Sequence, residues 1–336
     1  MKKFKTVRNL VVIASVLVGT GYLRMDYERG FTEDLRERKI AHPKIENEIW
    51  GEMGQTSLAG AFGGLRSVMA LFVSVGAYDH FENNEWYDLK KDYEIVTALD
   101  PYNPYYWNHG GWHLGWNAAS WARRNPDYSP NRRQIMEMAY LEEGDAFYRK
   151  GLKYNPESRE LWYEMGAMWA HEFKRPDLER AAEAFSMTRY SANPVYRRRY
   201  LFTIARIPGR EVEAYDEMIR LMSESKTHFK AAKFRALAVI LGSNPELPEG
   251  VLRPQIHQVF QTKELAYLDL YNYYARIDYD GLYPGQIERY LKELIQELDI
   301  PDEINPFVNK PTQPLFPHVW RQAVENRDKA RENSNR

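Results

Sequence analysis

Two histidines four residues apart, His109 and His113, are the pair best spaced for chemistry. On a helix this spacing sets both rings on one face, as many metal sites do. The residue after His109 is glycine, so the glutamate base of a His-Glu-x-x-His zinc hydrolase is missing. The nearby acids are not spaced as a third ligand. The pair therefore reads first as ring packing in an aromatic-rich helix, and second as a metal-binding or envelope-enzyme site. Gly60, Gly63 and Gly64 lie in an apolar run with no Lys-Ser or Lys-Thr behind them, so they do not read as a phosphate loop. Neither a serine nucleophile elbow nor a kinase signature occurs. The chain has no cysteine, which excludes thiol catalysis, disulfides and Cys-ligated zinc. No cofactor and no small-molecule ligand is expected.

What remains is binding chemistry. Nine Trp and 24 Tyr in 336 residues suit large contact surfaces and a groove lined with rings. The formal net charge of −1 gives no sign of nucleic-acid binding. The pairs Arg123-Arg124 and Arg132-Arg133 and the run Arg197-Arg198-Arg199 read as surface charge, and Glu142 and Glu143 as a solvated helix face.

The elements that would position these rings follow from a recurring spacing. Tyr93 precedes Pro101 by eight residues, and Tyr148 precedes Pro156 by eight. Trp107 follows Pro101 by six and Trp162 follows Pro156 by six; Gly111 and Gly166 come four after each Trp. Small residues at Gly111, Gly144, Gly151 and Gly166 suit close crossings of paired helices, and each proline ends one helix and starts the next. Both tracts resemble the tetratricopeptide repeat, a helix pair of about 34 residues. The resemblance implies an all-α, helical-hairpin (tetratricopeptide-like) solenoid that binds other chains and is not an enzyme.

In that family the inner wall is built from set positions of each first helix. Carried onto this sequence, the resemblance implies a peptide-binding groove of Tyr78 and Phe81, then Tyr105, Asn108, Trp112 and Trp116, then Tyr163 and His171. A wall of rings rather than lysines suits an extended or helical apolar peptide.

Lys2, Lys3, Lys5 and Arg8 precede an apolar run from Leu10 to Leu23. Its fourteen residues would rise about 21 Å as a helix, against about 30 Å of hydrocarbon, a shortfall that flanking basic side chains can span. Residues 1–24 are expected to be an uncleaved signal anchor, with a cleaved signal peptide as the alternative. The basic end would stay inside the cytoplasmic membrane, and the domain that follows would be periplasmic or otherwise extracytoplasmic.

Residues 25–54 read as a charged spacer. The apolar stretch from Leu58 to Ala77 reads as a fully buried helix rather than a second span, because Arg66 interrupts it. Gly76 and Ala77 are placed at its close-packing positions. Repeats are expected over 55–222, with an insert at about 117–137 whose prolines and polar residues read as a surface loop. Helices at Thr227–Leu241, Arg253–Ala275 and Pro284–Leu298 would cap the solenoid within 223–300, and 301–336 would be an extended Pro-rich tail.

Gly63-Gly64-Leu65-Arg66, Leu99-Asp100-Pro101, Trp112-His113-Leu114 and Trp116-Asn117 also resemble a group of membrane-anchored bacterial repeat proteins of unsettled role, over about 55–220. The expected function is a membrane-held scaffold for a protein partner in an envelope, secretion or surface-structure assembly.

Overall fold

The computed structural model describes residues 29–45, 65–172, 174–276 and 284–334, with isolated positions at 15, 19, 20, 27 and 49. The described residues are helical with no strand. They fall into two compact units, Met1–Ser158 and Arg159–Arg336. The expected anchor and the glycine cluster at 60–64 lie outside the described residues, apart from those isolated positions. Among the described residues no helix is long and apolar enough to cross a membrane.

The first unit holds α1 (Arg66–Glu82), α2 (Trp86–Leu99), α3 (Pro104–Trp112), α4 (Ala119–Arg124) and α5 (Pro130–Tyr154). A π-helical turn, His113–Ala118, joins α3 to α4. The starts of α3 and α5 are written locally. Proline at the first helical position has no N–H to leave unsatisfied, and the residue before it caps the end. Thus Asn103 accepts from the Tyr105 amide before α3, and Ser129 from the Arg132 amide before α5.

Helix α1 packs on α2, and α3 with its π turn packs on α5. The repeated Pro-to-Trp interval has a concrete cause here. Trp107 Nε1 donates to the Pro101 carbonyl at 2.8 Å, and Asn155 Nδ2 donates to the same oxygen at 2.9 Å. That carbonyl ties the end of α5 to the start of α3. Gly111, Gly144 and Gly151 sit at close contacts with Tyr148, Gly115 and Trp107, as the spacing predicted.

The second unit holds α6 (Arg159–Ala170), α7 (Leu178–Ser186), α8 (Pro194–Ile204), α9 (Glu211–Glu224), α10 (Ala232–Gly242), α11 (Ile256–Val259), α12 (Lys263–Tyr274), α13 (Pro284–Leu298) and α14 (Pro317–Ser334). Neighbours in sequence pack in pairs, α6 on α7 and α12 on α13. Gly166 of α6 lies against the Phe185 ring of α7.

Four expectations need correction. The insert at 117–137 is not a surface loop: the helix runs on to Arg124 and resumes at Pro130, leaving a five-residue connection. Its prolines are placed where helices tolerate them, at and before a first turn. The tail is not extended throughout, because 317–334 form α14, and Trp320 of that helix packs 5.2 Å from Tyr267. The helix expected from Arg253 starts at Lys263, after the short α11. Finally, α1 is not fully buried. Met69, Ala70 and Ala77 face α2 or the core, but Gly76 has open space beside it among the described residues, and Val68, Leu71, Phe72 and Val75 are exposed.

Candidate functional site

Six of the eight sequence-assigned groove residues belong to the first unit. Tyr78 and Phe81 lie near the end of α1, Tyr105, Asn108 and Trp112 along α3, and Trp116 in the π turn. Tyr78, Tyr105 and Trp112 stand open at 57%, 55% and 42% exposure, whereas Phe81, Asn108 and Trp116 are half-buried. The Tyr78 and Phe81 rings lie 6.0 Å apart.

His113 is the hub of this face. Its ring centroid lies 4.8 Å from Phe81, 5.1 Å from Trp112, 5.5 Å from Tyr93 and 6.1 Å from His109. Tyr105 in turn packs 4.1 Å from His109. Burial, aided by the neighbouring His109, lowers the His113 pKa to about 4. Near neutral pH the ring is thus uncharged, and Asn117 Nδ2 donates to its Nδ1 across 3.2 Å. A neutral ring packs among aromatics without the desolvation cost of a cation. Among the described residues no group of three or more His, Asp or Glu side chains is placed to hold a metal.

Beside the hub, Phe81, Trp86, Asn117, Trp121, Arg124 and Asp127 line an open depression. Its ring wall is continuous, with Phe81 6.0 Å from Trp86 and Trp86 6.1 Å from Trp121. Trp86 Nε1 is buried and meets no acceptor among the described residues. A buried donor left without a partner is uncommon. The rim is stiff. Arg133 donates to the carbonyls of Tyr128 and Pro126, Arg132 covers the Tyr128 ring, and Arg123 pairs with Glu137 at 3.7 Å. Arg132 and Arg133 therefore brace the connection, and Arg123 pairs with α5. Arg124 reaches the depression, its Nε held by the Ser120 carbonyl.

The remaining two assigned residues, Tyr163 and His171, belong to the second unit. Tyr163 stacks on Tyr196 with centroids 4.1 Å apart, and Arg199 donates to its hydroxyl at 3.1 Å. One face of the ring is thereby covered. His171 is half-buried.

The residues that sequence reasoning missed are Trp86, Asn117, Trp121 and Arg124. Trp121 and Arg124 were hidden by reading 117–137 as a loop. The π turn also rotates Asn117 and later residues relative to an ordinary helix, and no residue type announces such a turn. No family model matches the chain, and no curated protein or solved structure matches it.

Proposed function

We propose that this chain is a protein-interaction scaffold built on tetratricopeptide-like helical hairpins arranged as a solenoid. In this reading its N-terminal segment holds it in a membrane, and the repeat domain faces the extracytoplasmic side. It would serve an envelope, secretion or surface-structure assembly. The partner is an apolar peptide, extended or helical, laid across the aromatic face of the first unit. The observation that carries this is the row Tyr78, Tyr105 and Trp112, three large rings left in solvent on a base of packed helices. Rigid aromatics lose little side-chain entropy on contact and are the commonest anchors of interfaces. The adjoining depression supplies the Arg124 guanidinium, a group that suits peptide carbonyls.

The test compares two tryptophans of one helix. Trp112 is open, while Trp107 is 2% exposed. Trp112→Ala should keep its helical signal and melting temperature yet lose partner binding by roughly thirtyfold or more, about 2 kcal/mol. Trp107→Ala should lose about 3–5 kcal/mol of stability. An early-melting Trp112→Ala whose folded fraction still binds would place that ring in the core and end the assignment.

A further inference from the structure

From Val68 to Ala77 helix α1 is apolar on both faces, with Ser74 its one polar side chain, and Val68, Leu71, Phe72 and Val75 are exposed. Val68, Leu71, Phe72 and Val75 follow the i, i+3, i+4, i+7 spacing that makes one helical face, and Leu65 continues the row upstream. Phe72 and Val75 are 64% and 66% exposed, and the others are about half exposed. A helix apolar on both faces belongs in an interior. From these exposures and ordinary side-chain sizes, the row presents about 500 Å² of apolar surface. That is near the limit for a patch on a monomer; two copies face to face would bury about 1,000 Å², the threshold for a specific interface before any polar rim is added.

We infer that this face pairs with the same face of a second copy, the two α1 helices running antiparallel about a two-fold axis. The residue order along the helix selects that arrangement. With the axis passing between Phe72 and Val75, Phe72 of one copy lies beside Val75 of the other, and Leu71 lies over Gly76. Gly76 sits mid-helix with nothing within 4 Å of the position its side chain would occupy. Such a residue costs helix stability and packs against none of the described residues, but it gives the opposing leucine room. The same register brings Asp79 beside Val68 and Glu82 beside Leu65. The start of α1 has no side-chain cap and no acidic residue in its first turn. An acid from the second copy would complement that positive helix end, and symmetry makes the contact twice.

A lipid surface fits the same face less well. Asp79 and Glu82 lie on its exposed side, and Arg66 turns inward to the carbonyls of Pro43 and Ala98.

The chain has no cysteine, so a single introduced thiol reports cleanly. The purified full chain should sediment as a concentration-dependent dimer. Val75→Cys should be bridged between copies by a short bis-maleimide, while Tyr87→Cys, on the exposed side of α2, should not. Phe72→Glu should weaken the dimer by about 100-fold or more by burying a charge at its centre. Should Phe72→Glu misfold, Glu82→Lys, a surface change, should still weaken it by about tenfold. A chain that stays monomeric overturns the inference. In that event, slow maleimide labelling of Val75→Cys would assign the cover to another segment of this chain. Phe72-dependent binding to phosphatidylcholine vesicles would instead assign it to lipid. A dimer indifferent to both charge substitutions overturns it as well.

Discussion

Replacing Gly144 with alanine tests the helix pairing at the point where it has least room. A Cβ built on Gly144 would lie 2.8 Å from both Cα and N of Gly115 and 3.1 Å from the Gly111 carbonyl oxygen. All three atoms are backbone, so no side-chain rotation relieves the contact. To reach ordinary van der Waals distance, α5 and the π turn must part by about half an ångström, along helices whose other contacts are close-packed. Overpacking of this kind costs about 1–3 kcal/mol. Alanine's better helix propensity returns about 0.5–1 kcal/mol. The net is a loss of about 1–2 kcal/mol, or roughly 3–6 °C in a unit of this size. Gly166→Ala is the control, because the atoms it would meet belong to the Phe185 ring, at 2.9–3.0 Å, and a ring can tilt. Thermal melts of the full chain followed by circular dichroism would read both. Gly144→Ala melting at or above the parent would refute the close crossing.

Acid should weaken the first unit through His113. Its folded pKa of about 4 lies below the ordinary 6.5, so the unfolded state binds more protons between those values. Stability should fall as pH drops through that window, by up to about 3 kcal/mol, and a denaturation series on His113→Phe should lose that part of the slope. In the second unit, Glu217 is 1% exposed at its side chain and accepts from Arg189 at 2.5 Å and Arg220 at 2.6 Å. Glu217→Ala takes the carboxylate from Arg189 and leaves Arg220 with Glu224, and should cost about 1–3 kcal/mol by urea titration, more than Glu217→Gln. Trp320→Ala should lower the melting temperature of the second unit as a core truncation of about 3–5 kcal/mol would, and an unchanged melt would mean that α14 is not docked on Tyr267.

Helix content, and the helix-breaking role of Pro101 and Pro156, were legible because proline chemistry and small-residue spacing act locally. The glycine contacts at Gly111, Gly144 and Gly166 were legible for the same reason. The span 117–137 was misread because Pro126, Pro130 and the polar residues around them look like a loop in sequence, although Pro130 starts a helix and Arg132 and Arg133 brace the short turn before it. The α14 helix was hidden behind five prolines, all of which precede its second residue. In the candidate site, the ring types could be read but not their depth. Tyr78, Tyr105 and Trp112 are open, whereas Phe81 and Trp116 sink partway into the fold and Tyr163 has one face covered. Burial at that scale depends on which helix lies alongside, and the α3 spacing does not carry that information.

Whether the aromatic face holds a partner is read most directly by site-specific photo-crosslinking in membranes of the native host. A photoreactive residue placed at Tyr105 and, separately, at Trp112 should capture the same protein, identified by mass spectrometry. The same residue at Tyr87, which is more exposed but lies on α2, should not capture it. Absence of an adduct at both positions, or an identical adduct pattern from Tyr87, would contradict a binding role for this face.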